Sequence, residues 1–98
     1  MAFDKAIEVG SVEKNARGEF FKVFKNEEKS GGNSVDVRVY YTKGDGELAP
    51  TKKGIYLSSE LAPEVMVLMF EAMDASAKED FISKIRDYID EEAEEVED

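Results

Sequence analysis

The chain contains no cysteine, no histidine and no tryptophan. Without thiols it can form neither a disulfide framework nor a thiolate metal site, and it suits a reducing compartment. Without imidazole it lacks the commonest general base and metal ligand, and no cysteine replaces it as a strong nucleophile. Carboxylate groups such as Asp90-Glu91-Glu92 follow from the acidity of that end of the chain, not from a catalytic pairing. Gly44-Asp45-Gly46-Glu47 lacks the alternating oxygen ligands of a calcium loop. No Gly-Lys-Ser/Thr follows Gly31-Gly32, which excludes a phosphate loop. The four methionines read as helix packing. The expectation is a protein that is not an enzyme, with no cofactor and no metal.

Long apolar runs are also missing. The longest, residues 65–70, lies between Glu64 and Glu71 and falls far short of the roughly 20 residues of a membrane span. The first four residues have no signal-peptide core. An intracellular protein without a membrane partner is expected. Its 98 residues, 42% apolar, suffice for one small domain with a modest core, and a subunit of that size often gains stability by pairing.

Positive charge is scarce overall but unevenly spread. The net charge is −10, yet residues 1–58 hold 10 Lys/Arg against 9 Asp/Glu, while residues 59–98 hold 3 against 14. A near-neutral front thus carries an acidic back. From Asp87 onward eight of twelve residues are acidic, and composition predicts a frayed or disordered end.

Residues 20–25 are rich in strand formers, and Asn26 to Ser34 supply turn chemistry. Val35 to Tyr41 alternate, with Val35, Val37, Val39 and Tyr41 on one face and Asp36, Arg38 and Tyr40 on the other. These two strands predict a hairpin. Gly44-Asp45-Gly46 is a second turn, Glu47 to Lys53 a short irregular strand interrupted by Pro50, and Gly54 to Leu57 a fourth strand. Ile7 to Val12 either extends the first strand or lies outside the sheet. Ser58-Ser59 offer caps for a helix starting within 59–63, and Pro63 fits only near its start. Ser76 and Glu79 have capping-box spacing, and Phe81, Ile82, Ile85, Tyr88 and Ile89 then form an apolar stripe. The fold class is α+β: a four-stranded antiparallel sheet and a helix (β-β-β-β-α), then a second C-terminal helix and acidic tail. The boundary between the sheet-and-helix domain (1–75) and the addition (76–98) follows that helix switch.

Aromatic rings interleaved with cations on strands are how proteins hold unpaired nucleic acid. Lys22, Phe24 and Lys25, Arg38 and Tyr41, and Lys52 and Lys53 supply both groups. Phe24 and Tyr41 as ordinary core residues, with the lysines on a solvated edge, is the competing reading of the same pattern.

Asp36-Val37-Arg38-Val39-Tyr40-Tyr41, followed by Gly46-Glu47-Leu48-Ala49-Pro50-Thr51-Lys52-Lys53-Gly54-Ile55-Tyr56-Leu57 and a helix, resembles the transcriptional positive cofactor four family. Members are small dimeric proteins that bind single-stranded DNA, with relatives in bacteria and phages. The resemblance covers roughly residues 20–73. It implies a curved sheet, DNA contacts from Arg38, Tyr41, Lys52 and Lys53, and, by looser alignment, from Lys22, Phe24 and Lys25. It also implies a homodimer formed through the helix face of Val65, Leu68 and Met69. Ala49 stands where a familiar relative has lysine, Tyr41 replaces a tryptophan, and the 26–34 loop looks longer than usual.

The functional expectation is single-stranded-DNA binding in replication, recombination and repair, or transcription regulation. It places the chain in a bacterial or phage-infected cell, or in a nucleus. A second reading is an acidic interaction module or DNA mimic acting through residues 60–98, with the tail recruiting a basic protein partner or competing for the chain's own cationic groove.

Overall fold

The computed structural model describes residues 5–96. The order of elements is β1 (Lys5–Glu13), β2 (Glu19–Glu27), β3 (Asn33–Thr42), β4 (Leu48–Ser58), α1 (Ala62–Ala72) and α2 (Ala75–Val96). The α+β architecture is as expected, but two strands are drawn differently. Ile7 to Val12 lies in a separate edge strand, β1. Residues 47–53 and 54–57, expected as two strands, form the single strand β4 from Leu48 onward. By internal contacts the chain forms two units, Met1–Glu64 and Val65–Asp98.

In the first unit the four strands form an antiparallel meander in the order β1-β2-β3-β4. The β2–β3 connection is shorter than the sequence suggested, because Asn26, Glu27, Asn33 and Ser34 all pair in the ladder. Gly31 and Gly46 have φ of 90° and 88° in the two later turns, a left-handed conformation that costs other residues strain. Direct pairing sets the two faces. Val37 is opposite Val23 and Ile55, and Val35 is opposite Lys25 and Leu57, which gives one face its aliphatic character. Val39 on that face is buried.

β4 departs from regular pairing where Pro50 removes a backbone donor. Arg38 pairs with Gly54 and Tyr40 with Pro50, so Thr51, Lys52 and Lys53 together face Val39. Thr51 closes this bulge: its hydroxyl donates to the Val39 carbonyl at 2.7 Å and accepts from the Lys53 amide at 3.2 Å. The strand therefore continues through a proline that alternation alone reads as a break.

The chain leaves the sheet through Ser59, whose amide and hydroxyl both donate to the Asn33 carbonyl, at 3.2 and 2.9 Å. In the second unit, Asp74 caps α2: its carboxylate accepts from the Ala77 amide at 2.8 Å. The cap is thus two residues before Ser76, the residue the sequence suggested. The Phe70 and Phe81 rings, 5.7 Å apart, join α1 to α2, and the Lys78 ammonium lies 5.7 Å from the Phe70 ring. The acidic end, expected to fray, is helical through Val96; Glu97 and Asp98 lie outside the described residues. No helix among the described residues is long and apolar enough to cross a membrane.

Candidate nucleic-acid interface

Register gathers chemistry on the face opposite the valines. Lys22 pairs with Arg38, Phe24 with Asp36 and Phe20 with Tyr40, while β4 places Tyr56 opposite Asp36. Directly opposed residues project to the same side of a sheet. The Phe24 and Tyr40 rings stand 6.0 Å apart and are tilted by 32°, and the Lys22 ammonium lies 4.9 Å from the Tyr40 ring centre. Phe24, Arg38, Tyr40, Lys52 and Tyr56 line one open hollow of about 550 Å³.

Arg38 is held by three hydrogen bonds to two partners. Its Nη2 and Nε donate to the Asp36 carboxylate at 2.6 and 3.2 Å, and its Nη1 donates to the Lys52 carbonyl at 3.2 Å. The hydrogen bond to Asp36 raises the Arg38 pKa further above its already high ordinary value, so the guanidinium keeps its charge. Gly54 makes this geometry achievable. A Cβ there would collide with the Val37 carbonyl oxygen and lie 3.2 Å from the Arg38 guanidinium carbon. The glycine within the Lys-Lys-Gly-Ile motif thus leaves room for the arginine that precedes it by sixteen positions.

The cations of this face differ in their availability. Lys22 is paired with Glu8 at 3.0 Å and Arg38 with Asp36, whereas Lys52 is exposed and has no ion pair among the described residues. An incoming anion meets Lys52 unhindered and must compete with carboxylates for the other two.

Of the seven binding residues expected from sequence, the structure brings Lys22, Phe24, Arg38 and Lys52 together on this side. Lys25 pairs with Val35 on the other face, and its ammonium lies 3.3 Å from Glu27. Tyr41 pairs with Glu19 and Ala49, and with Lys53 it lines a separate hollow of about 440 Å³ beside Lys14, Arg17 and Thr42. Tyr40 and Tyr56 were not among the expected residues. For Tyr40 the signal was present, since strand alternation already set it beside Arg38 and set Tyr41 with the valines. Tyr56 becomes visible only once β4 pairs with β3. On α1, Leu68 and Met69 are 64% and 58% exposed, and Val65 is half-buried.

Among curated proteins none matches the chain. The family model described as Transcriptional Coactivator p15 (PC4) matches residues 21–66, from β2 into the start of α1. Among solved structures, a PC4 homolog from Burkholderia pseudomallei is similar with a TM-score of 0.56 and 25% identity, over 76% of this chain and 100% of that one. By motif and by fold the chain resembles the PC4 family, as a bacterial-type PC4-like protein, with the family pattern carried by residues 21–66.

Proposed function

We propose that this chain binds single-stranded DNA without catalysis, as a homodimer, in replication, recombination and repair, or in coactivator-like transcription regulation inside the cell. The observation that carries the reading is the Phe24 and Tyr40 ring pair beside Lys22, Arg38 and Lys52 on one open face. Every base has a π-face, so rings bind single strands with little regard to sequence, at about 1–3 kcal/mol per stacked base. Cations beside the rings neutralise the phosphates, which makes binding salt-dependent. Similarity to the PC4 family supports the same reading. Exposed Leu68 and Met69, with Val65, offer the apolar helix face that a second copy would cover.

Fluorescence anisotropy with a labelled single-stranded oligonucleotide of about 20 nucleotides, across a salt series and with duplex competitor, tests the proposal. Salt-sensitive binding that prefers the single strand is expected. Removing residues 91–98 should leave it intact or strengthen it. No binding at low salt by folded protein would overturn the proposal and leave the acidic interaction module of residues 60–98 as the better account.

A further inference from the structure

A second cationic hollow lies at the end of the sheet where the β1–β2 turn meets β3. Lys14, Arg17, Glu19, Tyr41, Thr42 and Lys53 line its volume of about 440 Å³. Three cations share it with one carboxylate, a local excess of positive charge in a chain whose net charge is −10. The turn that carries two of them is fixed. Asn15 Oδ1 accepts from the Arg17 and Glu19 amides at 2.9 and 3.4 Å, and the Thr42 hydroxyl donates to the Gly18 carbonyl at 2.7 Å. Lys53 is set from the other side by the β4 bulge, where its amide donates to the Thr51 hydroxyl. The carboxylate holds its cations loosely. Glu19 Oε1 receives the Asn15 side-chain amide at 2.6 Å, but the Lys14 ammonium and the Arg17 guanidinium each stand 3.4 Å from it. Strong charge-assisted contacts are about 2.7–2.9 Å long, so these two pairs are weak. The Arg17 side chain is 79% exposed and keeps most of its donor fork open. Lys53 is exposed and has no ion pair among the described residues.

We infer that Lys14, Arg17 and Lys53 form a phosphate subsite that carries a bound single strand past Lys52, off the ring-bearing face and onto the end of the sheet. The inference rests on the single-strand reading above and extends the strand's path to residues which that reading leaves out. Lys52 lines the ring-bearing hollow, and Lys53, the next residue, lines this one. β4 is an outer strand of the sheet, so a run of nucleotides can pass from one hollow to the other without crossing a neighbouring strand. A phosphodiester suits the place it reaches. Its two free oxygens match the guanidinium fork of Arg17, and the two ammonium groups act as point charges beside it. Glu19, already accepting from Asn15, is the internal competitor, and its loose hold on Lys14 and Arg17 makes it easily displaced.

Anisotropy titrations of a labelled oligothymidylate of about 20 nucleotides, the length class that single-strand sites of this kind occupy, compare Arg17→Gln, Lys53→Gln and Lys25→Gln with the wild-type protein across a salt series. Lys25 lies on the same side of the sheet as Tyr41 but is paired with Glu27 outside the hollow, so its variant controls for loss of charge alone. Arg17→Gln and Lys53→Gln should each reduce the magnitude of the salt slope by about 0.7, one lost phosphate contact on a single strand, and Lys25→Gln should leave it unchanged. Arg17 makes one loose side-chain contact while Asn15 and Thr42 hold the turn, so its variant keeps the fold. Equal losses in all three variants would reveal a diffuse charge effect and overturn the subsite. A loss confined to Lys53→Gln would overturn it too, leaving Lys53 as an extension of Lys52. Unchanged slopes in every variant would overturn the subsite and leave the single-strand reading standing on the ring-bearing face. Failure of the folded wild-type protein to bind the oligonucleotide at low salt would overturn both.

Discussion

Arg38 and Asp36, two positions apart on β3 and on one face, form a bidentate ion pair with contacts of 2.6 and 3.2 Å. The arginine of the proposed interface thus arrives with an internal carboxylate seated where a phosphate would bind. Such a pair is pre-aligned and partly shielded, and it sets what an incoming strand must displace. Lys22 and Glu8 repeat the arrangement at 3.0 Å on the neighbouring strands.

Asp36→Asn should strengthen oligonucleotide binding at low salt, since it removes the competing charge while keeping the side-chain shape. The salt slope should steepen by about 0.7, one further phosphate contact on a single strand. A salt series of anisotropy titrations measures both. Weaker binding would show that Asp36 serves to aim Arg38 rather than to compete for it.

Tyr40→Ala should weaken binding by about 1–3 kcal/mol, the range for losing one stacked base, whereas Tyr41→Ala should have little effect. The two residues are adjacent but project to opposite sides of β3, as their partners Phe20 and Glu19 show. Titrations of both folded variants decide the point. The reverse ranking would move the interface to the other face.

Gly54→Ala should destabilise the fold by about 1–3 kcal/mol, the usual range for overpacking. The new methyl would meet the Val37 carbonyl and the Arg38 backbone, neither of which can swing aside as a flexible side chain does. Thermal unfolding should show a loss of about 4–8 °C per kcal/mol for a domain this small. An unchanged midpoint would mean that β4 relaxes freely around its bulge.

Glu19 has its pKa lowered, first by the hydrogen bond from Asn15 and then by Lys14. A carboxylate depressed in the folded state stabilises the fold above its unfolded pKa, and the contribution is lost as pH falls through the folded value. Asn15→Ala should therefore move the Glu19 titration upward towards 4.5 and reduce the acid sensitivity of the β1–β2 turn. An NMR titration of the Glu19 side chain checks this, and an unmoved midpoint would assign the shift to Lys14 instead.

The outline of the sheet was legible because β3 alternates cleanly and glycines mark its flanking turns. Pro50 hid the continuity of β4, since a proline removes one ladder donor without ending a strand when a bulge takes up the extra residues. The end of α2 was hidden for a related reason. Local composition weighs charge repulsion, while the ordered helix begins from the Asp74 cap and the Phe70 to Phe81 contact. Most of the proposed interface was visible too, Tyr40 and Tyr56 excepted. Residue types named all seven candidates, of which Lys22, Phe24, Arg38 and Lys52 share the ring-bearing face, while Lys25, Tyr41 and Lys53 project elsewhere.

By itself the sequence determined which chemistry is on hand: no imidazole or thiol, rings and cations on strands, and acid collected towards the C-terminus. It determined the two faces of β3 as well, because side-chain direction alternates along any strand. Only the tertiary structure decided which of these groups meet. The β2–β3–β4 register sets Phe24, Asp36 and Tyr56 in one row, and the Pro50 bulge brings Lys52 beside Arg38. Those outcomes depend on pairing between residues distant in the chain, where a shift of one position would send every side chain to the opposite face.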